Sequence, residues 1–164
     1  LDSAVISVTQ FKASAAINVI PDSVTLGATV RCLRNETRDL LESALGETAR
    51  GIASGCGVNT EYQYVRGAIA TVNHDEQTDI CSQVAANLVG PERVFTNIDP
   101  LMGSEDFGWM LHEQPGCYLF LGNGIGETGG CMVHNPHYDF NDDILNIGAA
   151  YWVELARTVL PISR

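Results

Sequence analysis

Hydrophobic and polar residues alternate in two stretches near the start of the chain, and a helical repeat follows them. Ala4 to Phe11 and Ser23 to Leu33 are rich in β-branched residues and alternate in polarity, which predicts two strands. From Glu36 to about Ser54 the apolar residues recur at helical spacing, with Asn35 as the expected N-cap. Val58 to Val65 alternates again and predicts a third strand. This order predicts a two-layer α+β unit, in which the helix covers one face of an antiparallel sheet.

The pattern changes after about residue 70, where we place a domain boundary. Three further helices are predicted. The first runs from His74 or Asp75 to about Leu88 and is capped by Asn73. The second is a short helix that is capped by Ser104 and ends at about His112, and the third runs from about Asp143 to Leu160. Two strands are predicted between them, a short one at Arg93 to Phe95 and a buried central one at Cys117 to Leu121. This half of the chain is therefore α/β in style.

Composition and charge exclude several classes of function. The 164 residues include 9 Lys and Arg against 20 Asp and Glu, a formal charge of -11, which argues against nucleic acid or an anionic membrane as a partner. No apolar run approaches the roughly 18 residues that span a bilayer. Five scattered cysteines without a CxxC pair argue against a disulfide framework, so we expect a cytoplasmic protein. Because a strand follows Leu1 almost at once, we expect the sequence to be a piece of a longer polypeptide.

A glycine-rich loop follows the predicted central strand and contains the spacing GxGxxG at Gly124, Gly126 and Gly129. A dinucleotide site would need a helix to begin there, and the sequence that follows, through Pro136, does not favour one. We interpret this stretch as a loop rather than a nucleotide site. No GxSxG motif or other nucleophile motif is present.

Two polar segments could carry chemistry. His134 to Asp143 holds two imidazoles and three carboxylates, which are ligands for divalent metals, although Asn141 or Asp142 is equally explained as a helix cap. Gly103 to Phe107 places a hydroxyl and two carboxylates at the start of a helix, where capping alone would favour them. Spacing leaves both interpretations open.

Five motifs, taken in order, resemble the metal-dependent aminoacylase/carboxypeptidase amidohydrolases, in particular the branch of hippurate hydrolase and other N-acyl-amino-acid amidohydrolases. The resemblance covers essentially the whole chain. The motifs are Asn18 to Asp22, Leu26 to Arg31, Met102 to Phe107, His134 to Asp142 and Gly148 to Val153.

The resemblance implies a fold and a domain organisation. It implies that residues 1–72 are the second part of an α+β lid that also mediates homodimerisation, and that residues 73–164 are the C-terminal part of an α/β catalytic domain. The lid would be a two-layer sandwich.

The resemblance also implies a reaction, which is metal-assisted hydrolysis of the amide of a small N-acyl amino acid. Two divalent ions, Zn or Mn, would occupy each complete active site. His134 would be the last metal ligand, and Asn18 and Arg31 would bind the substrate carboxylate, which suits an amide and a guanidinium chemically. The general base and the other ligands have no counterpart here, so no catalytic residue is assigned in this chain.

Two features depart from the resemblance or fall outside it. The stretch Phe11 to Ile17, ahead of Asn18, contains no histidine, whereas the branch has a histidine-rich stretch there. His137 is not assigned as a ligand. The alternative function is a non-catalytic dimerisation or interaction fragment of a truncated or degenerate relative.

Overall fold

The computed structural model describes residues 3–14, 16–126 and 129–160, and within them the chain is a mixed α/β protein. Two strands, four α-helices and two single-turn 3-10 helices are present in these residues. In chain order they are β1 (Ala4–Lys12), β2 (Thr25–Cys32), α1 (Asn35–Gly55), α2 (Asp75–Val89), a 3-10 turn (Pro91–Arg93), α3 (Phe107–Glu113), a second 3-10 turn (Asp142–Ile144) and α4 (Leu145–Val159).

The chain forms two compact units. The first comprises the described residues up to Thr71 together with Pro100–Trp109, and the second comprises Val72–Asp99 and the described residues from Met110 onward. The division therefore falls inside α3. The assignment of residues 1–72 to a lid and 73–164 to a catalytic domain stays a prediction.

The first unit is built on an antiparallel pair of strands. β1 pairs with β2 so that Ala4 lies opposite Cys32 and Val5 opposite Arg31, with an irregularity between Val8 and Gln10. Both strands lie close to their predicted positions. The irregularity leaves an extra residue in β1, as in a β-bulge, which increases the local twist.

Helix α1 packs against β2 and runs almost as its apolar repeat predicts. Its N-cap residue is Arg34 rather than Asn35, and Arg34 makes no side-chain capping bond. The Asn35 side chain instead accepts a hydrogen bond from the Arg38 guanidinium at 2.9 Å. The predicted Asn35 cap is therefore wrong, because this amide is engaged one turn further into the helix.

The strand predicted at Val58 to Val65 does not form, since this segment has no ladder partner among the described residues. It is fixed by side chains to α1 instead: the Tyr62 hydroxyl donates to the Glu42 carbonyl at 2.9 Å, and Arg66 pairs with the Glu42 carboxylate. Tyr62 and Tyr64 are half-buried while Glu61 and Gln63 are exposed. The alternation in the sequence thus reflects the burial of alternate side chains against α1. It does not require hydrogen bonds to a neighbouring strand.

The second unit is organised by the packing of α2 against α4. Val84 on α2, Tyr151 on α4 and Leu111 on α3 are buried. The apolar stripes that predicted α2 and α4 correspond to this contact. The last helix begins with a 3-10 turn, whose Asn141 cap accepts a hydrogen bond from the Asp143 backbone N–H at 3.1 Å, as the sequence suggested.

The central strand predicted at Cys117 to Leu121 is also not formed within the described residues. Leu119, Phe120 and Leu121 are exposed by 42 to 63%, whereas a central strand would bury them. The Asn73 side chain occupies the place of a neighbouring strand, donating to the Tyr118 carbonyl and accepting from the Tyr118 N–H, each at 2.8 Å. Asn73 is therefore not the predicted cap of α2, whose N-cap residue is His74.

Two smaller predictions are also wrong. Arg93 to Phe95 was expected to be a strand, but the chain forms a 3-10 turn that begins at Pro91, since proline favours the first position of a helical turn. Ser104 was expected to cap a helix, but α3 begins at Phe107 and its first N–H groups bond to the Glu105 carboxylate. No helix among the described residues combines the length and the apolar character that crossing a bilayer requires.

Gly108 is required by a close backbone approach in the first unit. A Cβ placed on Gly108 would lie 2.9 Å from the Ile69 carbonyl oxygen and 3.2 Å from that of Ala70. We expect Gly108→Ala to reduce the free energy of unfolding by about 1 to 3 kcal/mol, since backbone must move. Gly51→Ala in α1 is the control, because its Cβ would meet nothing within 4 Å, and it should stabilise by up to about 1 kcal/mol. Urea unfolding of both variants measures this, and shifts of the same sign would contradict it.

The Tyr151 hydroxyl is buried and has no hydrogen-bond partner in the described part of the chain. Burial raises the pKa of Tyr151, because the phenolate would be desolvated. The unfolded state therefore releases this proton first, and stability should fall as the pH rises above about 10. Tyr151→Phe should be at least as stable as the wild type at pH 7, since it removes an unsatisfied group, and should lose less stability above pH 10.

Thermal unfolding between pH 7 and 11 measures the difference. A residual alkaline loss is expected in Tyr151→Phe, because burial also raises the pKa values of Tyr62 and Tyr64. An alkaline loss as steep in the variant as in the wild type would contradict this explanation.

Candidate functional site

Arg31 lies near the end of β2 with its side chain half-buried, and its guanidinium is oriented by a backbone carbonyl. Its Nη1 donates to the Met102 oxygen at 3.0 Å. β2 fixes the base of the side chain through its pairing with β1, and the carbonyl fixes the guanidinium end. A guanidinium held in this way presents its remaining N–H groups in a fixed plane, which is the geometry that suits a carboxylate.

The segment that supplies the Met102 carbonyl has no regular secondary structure and is anchored by Glu105. One carboxylate oxygen accepts from the Phe107 N–H at 2.6 Å, and the other accepts from the Gly108 N–H at 3.1 Å. The Thr71 hydroxyl donates to the carboxylate as well. Glu105 is half-buried, so these donors replace much of its hydration.

Asn18, the other residue predicted to bind the substrate carboxylate, lies in an exposed turn. The Val19 N–H donates to the Ala16 carbonyl at 3.3 Å and closes this turn. Asn18 and Arg31 both belong to the first unit. In the part of the chain that the structure describes, their side chains are not hydrogen-bonded to each other. The roles of Asn18 and Arg31 stay predictions.

His134 has a backbone conformation that side chains other than glycine seldom adopt. Its φ is 69°, and in the described part of the chain it is the one residue other than glycine with a positive φ. It lies inside a turn closed by the Asn135 N–H and the Met132 carbonyl at 3.2 Å. Such a conformation costs on the order of 1 kcal/mol and is often found where a side chain must be directed to a functional site.

The donors around His134 do not form a metal site by themselves. Within residues 3–14, 16–126 and 129–160, no three His, Cys, Asp or Glu side chains are placed to hold one ion. The His134 imidazole is exposed and could contribute one ligand. His137 is also exposed, and its backbone N–H donates to the side-chain oxygen of Asn135 at 2.9 Å. The residues present therefore fit one position of a metal centre and not a whole one.

The loop that carries His134 is closed at its base by Asn123. Its side-chain N–H donates to the Asp139 carbonyl at 2.9 Å, and its oxygen accepts from the Asn141 N–H at 3.0 Å. Gly129 in this loop has φ 79°, and a Cβ there would overlap the Asn123 carbonyl oxygen at 1.8 Å. Close backbone packing therefore explains Gly129, while Gly124 and Gly126 have positive φ values of 107° and 98°, which favour glycine. The turns in this stretch agree with its interpretation as a loop.

An open groove of about 320 Å³ borders the same loop. Most of the side chains that line it are apolar. The lining residues are Leu121, Asn123, Tyr138, Phe140, Ile144, Leu145, Gly148 and Ala149. Tyr138 is the one titratable residue among them, so the groove offers contact area rather than acid or base groups.

Thiol chemistry is not favoured at Cys117. Burial raises the pKa of the Cys117 thiol, a neighbour of Cys81, so little of the nucleophilic thiolate exists at neutral pH.

Sequence reasoning missed three polar residues that shape these segments. Asn73 and Asn123 each bond backbone groups far along the chain, and Glu105 was interpreted only as a residue at a helix start. A signal existed for Glu105, because it lies in one of the five ordered motifs. None existed for the two asparagines, since an amide that bridges distant segments resembles any polar loop residue.

Comparison with known proteins gives a consistent match. Residues 5–158 match the profile of peptidase family M20/M25/M40. The chain is 38% identical to the hippurate hydrolase of Campylobacter jejuni over 155 residues, which are 94% of this chain and 39% of that protein. It is 31% identical to the N-acetylcysteine deacetylase of Bacillus subtilis over 161 residues, which are 98% of this chain and 40% of that protein.

A solved structure is also similar. The Bacillus subtilis YXEP protein, described as a dinuclear metal-binding peptidase from the M20 family, matches with a TM-score of 0.72 and 28% identity. The match covers 98% of this chain and 43% of that one. The chain thus spans about two fifths of the length of these relatives.

Proposed function

The chain belongs to peptidase family M20/M25/M40, and from this premise we propose that it is the C-terminal part of a metal-dependent amidohydrolase acting on N-acyl amino acids. The observation that carries the proposal is the family match along residues 5–158. It is supported by relatives named for hippurate and N-acetylcysteine, which are both N-acyl amino acids. The reaction is hydrolysis of the amide bond between the acyl group and the amino acid.

Arg31 binds the carboxylate of the amino acid in this proposal, and Asn18 adds an amide N–H. The bond from Arg31 to the Met102 carbonyl supports this role, because it orients the guanidinium before substrate arrives. The exposed turn of Asn18 leaves its amide accessible to substrate.

His134 provides one imidazole ligand to a dinuclear centre in this proposal. Two divalent ions, Zn or Mn, would activate a water molecule and polarise the scissile carbonyl when bound. The positive φ of His134 supports a constrained direction for this side chain. The general base and the remaining ligands are expected outside these residues.

We also propose the finer organisation that the resemblance implies. Residues 1–72 belong to an α+β two-layer lid, and residues 73–164 complete an α/β catalytic domain. The lid mediates a homodimer in this proposal, since β1 and β2 form a two-stranded sheet and an edge strand can pair with another chain. The protein acts in the cytoplasm.

Arg31→Ala tests the recognition of the carboxylate in a full-length enzyme that contains this chain. We expect KM for an N-acyl amino acid to rise by about tenfold or more, because a charge-assisted hydrogen bond is lost. KM for the corresponding N-acyl amino amide, which lacks the carboxylate, should change by less than about twofold. Steady-state kinetics on the two substrates measures this difference.

Arg157→Ala is the control for loss of a positive charge, since Arg157 is an exposed residue of α4 that pairs with Glu154. It should leave both KM values unchanged. Equal losses on both substrates in Arg31→Ala would contradict carboxylate recognition, and a wild-type enzyme inactive on N-acyl amino acids would contradict the proposed function.

His134→Ala tests the metal ligand in the same full-length enzyme. Metal content should fall from about two ions per active site to about one, and turnover should be nearly abolished, because water activation and carbonyl polarisation both need the centre. His137→Ala, three residues away in the same loop, should keep its metal. Inductively coupled plasma mass spectrometry of the purified variants gives the stoichiometry. Full metal in His134→Ala together with loss in His137→Ala would show that the other histidine is the ligand.

A further inference from the structure

The orientation of Arg31 depends on a carbonyl that lies in an irregular segment. Arg31 Nη1 donates to the Met102 oxygen at 3.0 Å, across 71 residues of sequence. Residues 100–106 form neither helix nor strand, so no ladder or helical bond holds that carbonyl in place. Whatever fixes this segment also fixes the guanidinium of Arg31.

Glu105 anchors the end of this segment, three residues after Met102. Its carboxylate receives two backbone N–H groups, from Phe107 and Gly108, and the hydroxyl of Thr71. Thr71 belongs to a different part of the chain, 34 residues earlier, so the carboxylate joins two segments and does more than cap α3. The close approach of Gly108 to the Ile69 carbonyl adds a second contact between the same two segments.

The ionised carboxylate suits this position better than an amide would. It accepts hydrogen bonds at both oxygens, and both oxygens face donors here. In Glu105→Gln one oxygen becomes an NH2 group that faces an N–H or O–H donor, so at least one of the three bonds is lost. The isosteric change should therefore loosen the segment without removing the side chain.

We propose that Glu105 is a positioning residue for substrate recognition, which holds the Met102 carbonyl so that Arg31 presents its guanidinium to the substrate carboxylate. This inference rests on the proposed function of Arg31. Glu105 touches neither substrate nor the reacting atoms, and it acts through the segment 102–105.

The test is a double-mutant cycle in a full-length enzyme that contains this chain. Glu105→Ala should raise KM for an N-acyl amino acid by about fivefold to tenfold, with kcat changed by less than about twofold. KM for the matching N-acyl amino amide should stay within about twofold. In an Arg31→Ala background, Glu105→Ala should produce no further rise in KM, because the residue it positions is gone.

Two further variants complete the design. Glu105→Gln should give a smaller rise in KM on the N-acyl amino acid, and it carries the test if circular dichroism shows that Glu105→Ala is unfolded. Glu113→Gln is the matched control, since Glu113 is an exposed glutamate at the last residue of α3, and it should leave both KM values unchanged.

The outcomes separate the inference from the function on which it rests. Equal losses on the two substrates, or additive rises in KM with Arg31→Ala, would overturn the positioning role of Glu105 while leaving the carboxylate role of Arg31 intact. Absence of N-acyl amino acid hydrolysis by the wild type, or an unchanged KM in Arg31→Ala, would overturn the proposed function and the inference together.

Discussion

Burial of apolar surface is the constraint on which this structure depends, and the chain satisfies it sparingly. Among the described residues, Ala53, Val84, Leu111 and Tyr151 are the hydrophobic residues that are buried, and each keeps between 4 and 9% of its surface exposed. Large apolar residues such as Phe11, Phe120 and Trp152 are exposed by 63 to 72%. In both units, irregular segments are held by hydrogen bonds from side chains to backbone groups.

Three such side chains have a common role at different places. Asn73 holds Tyr118 beside the start of α2, Asn123 closes the loop that contains His134, and Glu105 joins the start of α3 to Thr71. In each case one polar group satisfies backbone donors or acceptors that a neighbouring strand or helix would otherwise engage. The residues proposed to contact substrate and metal, Arg31 and His134, both lie on or against segments fixed in this way. Hydrogen bonds from side chains to backbone groups therefore hold the segments that carry or contact both of these residues.

The helices could be predicted from the sequence more closely than the strands, and the reason is physical. The apolar repeats of α1, α2 and α4 are local patterns, and their ends lie within a few residues of the predicted positions. A strand needs a partner backbone, which the sequence of the segment does not specify. Val58 to Val65 and Cys117 to Leu121 have strand-like patterns, yet the first is held against α1 by side chains and the second bonds the amide of Asn73. The site shows a similar limit, because the sequence named Arg31 and His134 through a resemblance, whereas the Met102 carbonyl and the φ of His134 follow from tertiary structure.

The bonds of Asn123 also determine how freely the loop between residues 123 and 141 can change in length. Its two ends are held together by one amide, so the chain between them is a closed loop whose entropy cost grows only logarithmically with length. Doubling such a loop costs only about 0.6 kcal/mol. Insertions at a distance from His134 and from the close packing at Gly129 would therefore leave the helices α2 and α4 nearly as stable as before. The fold is therefore compatible with insertions in this loop beside the candidate metal ligand.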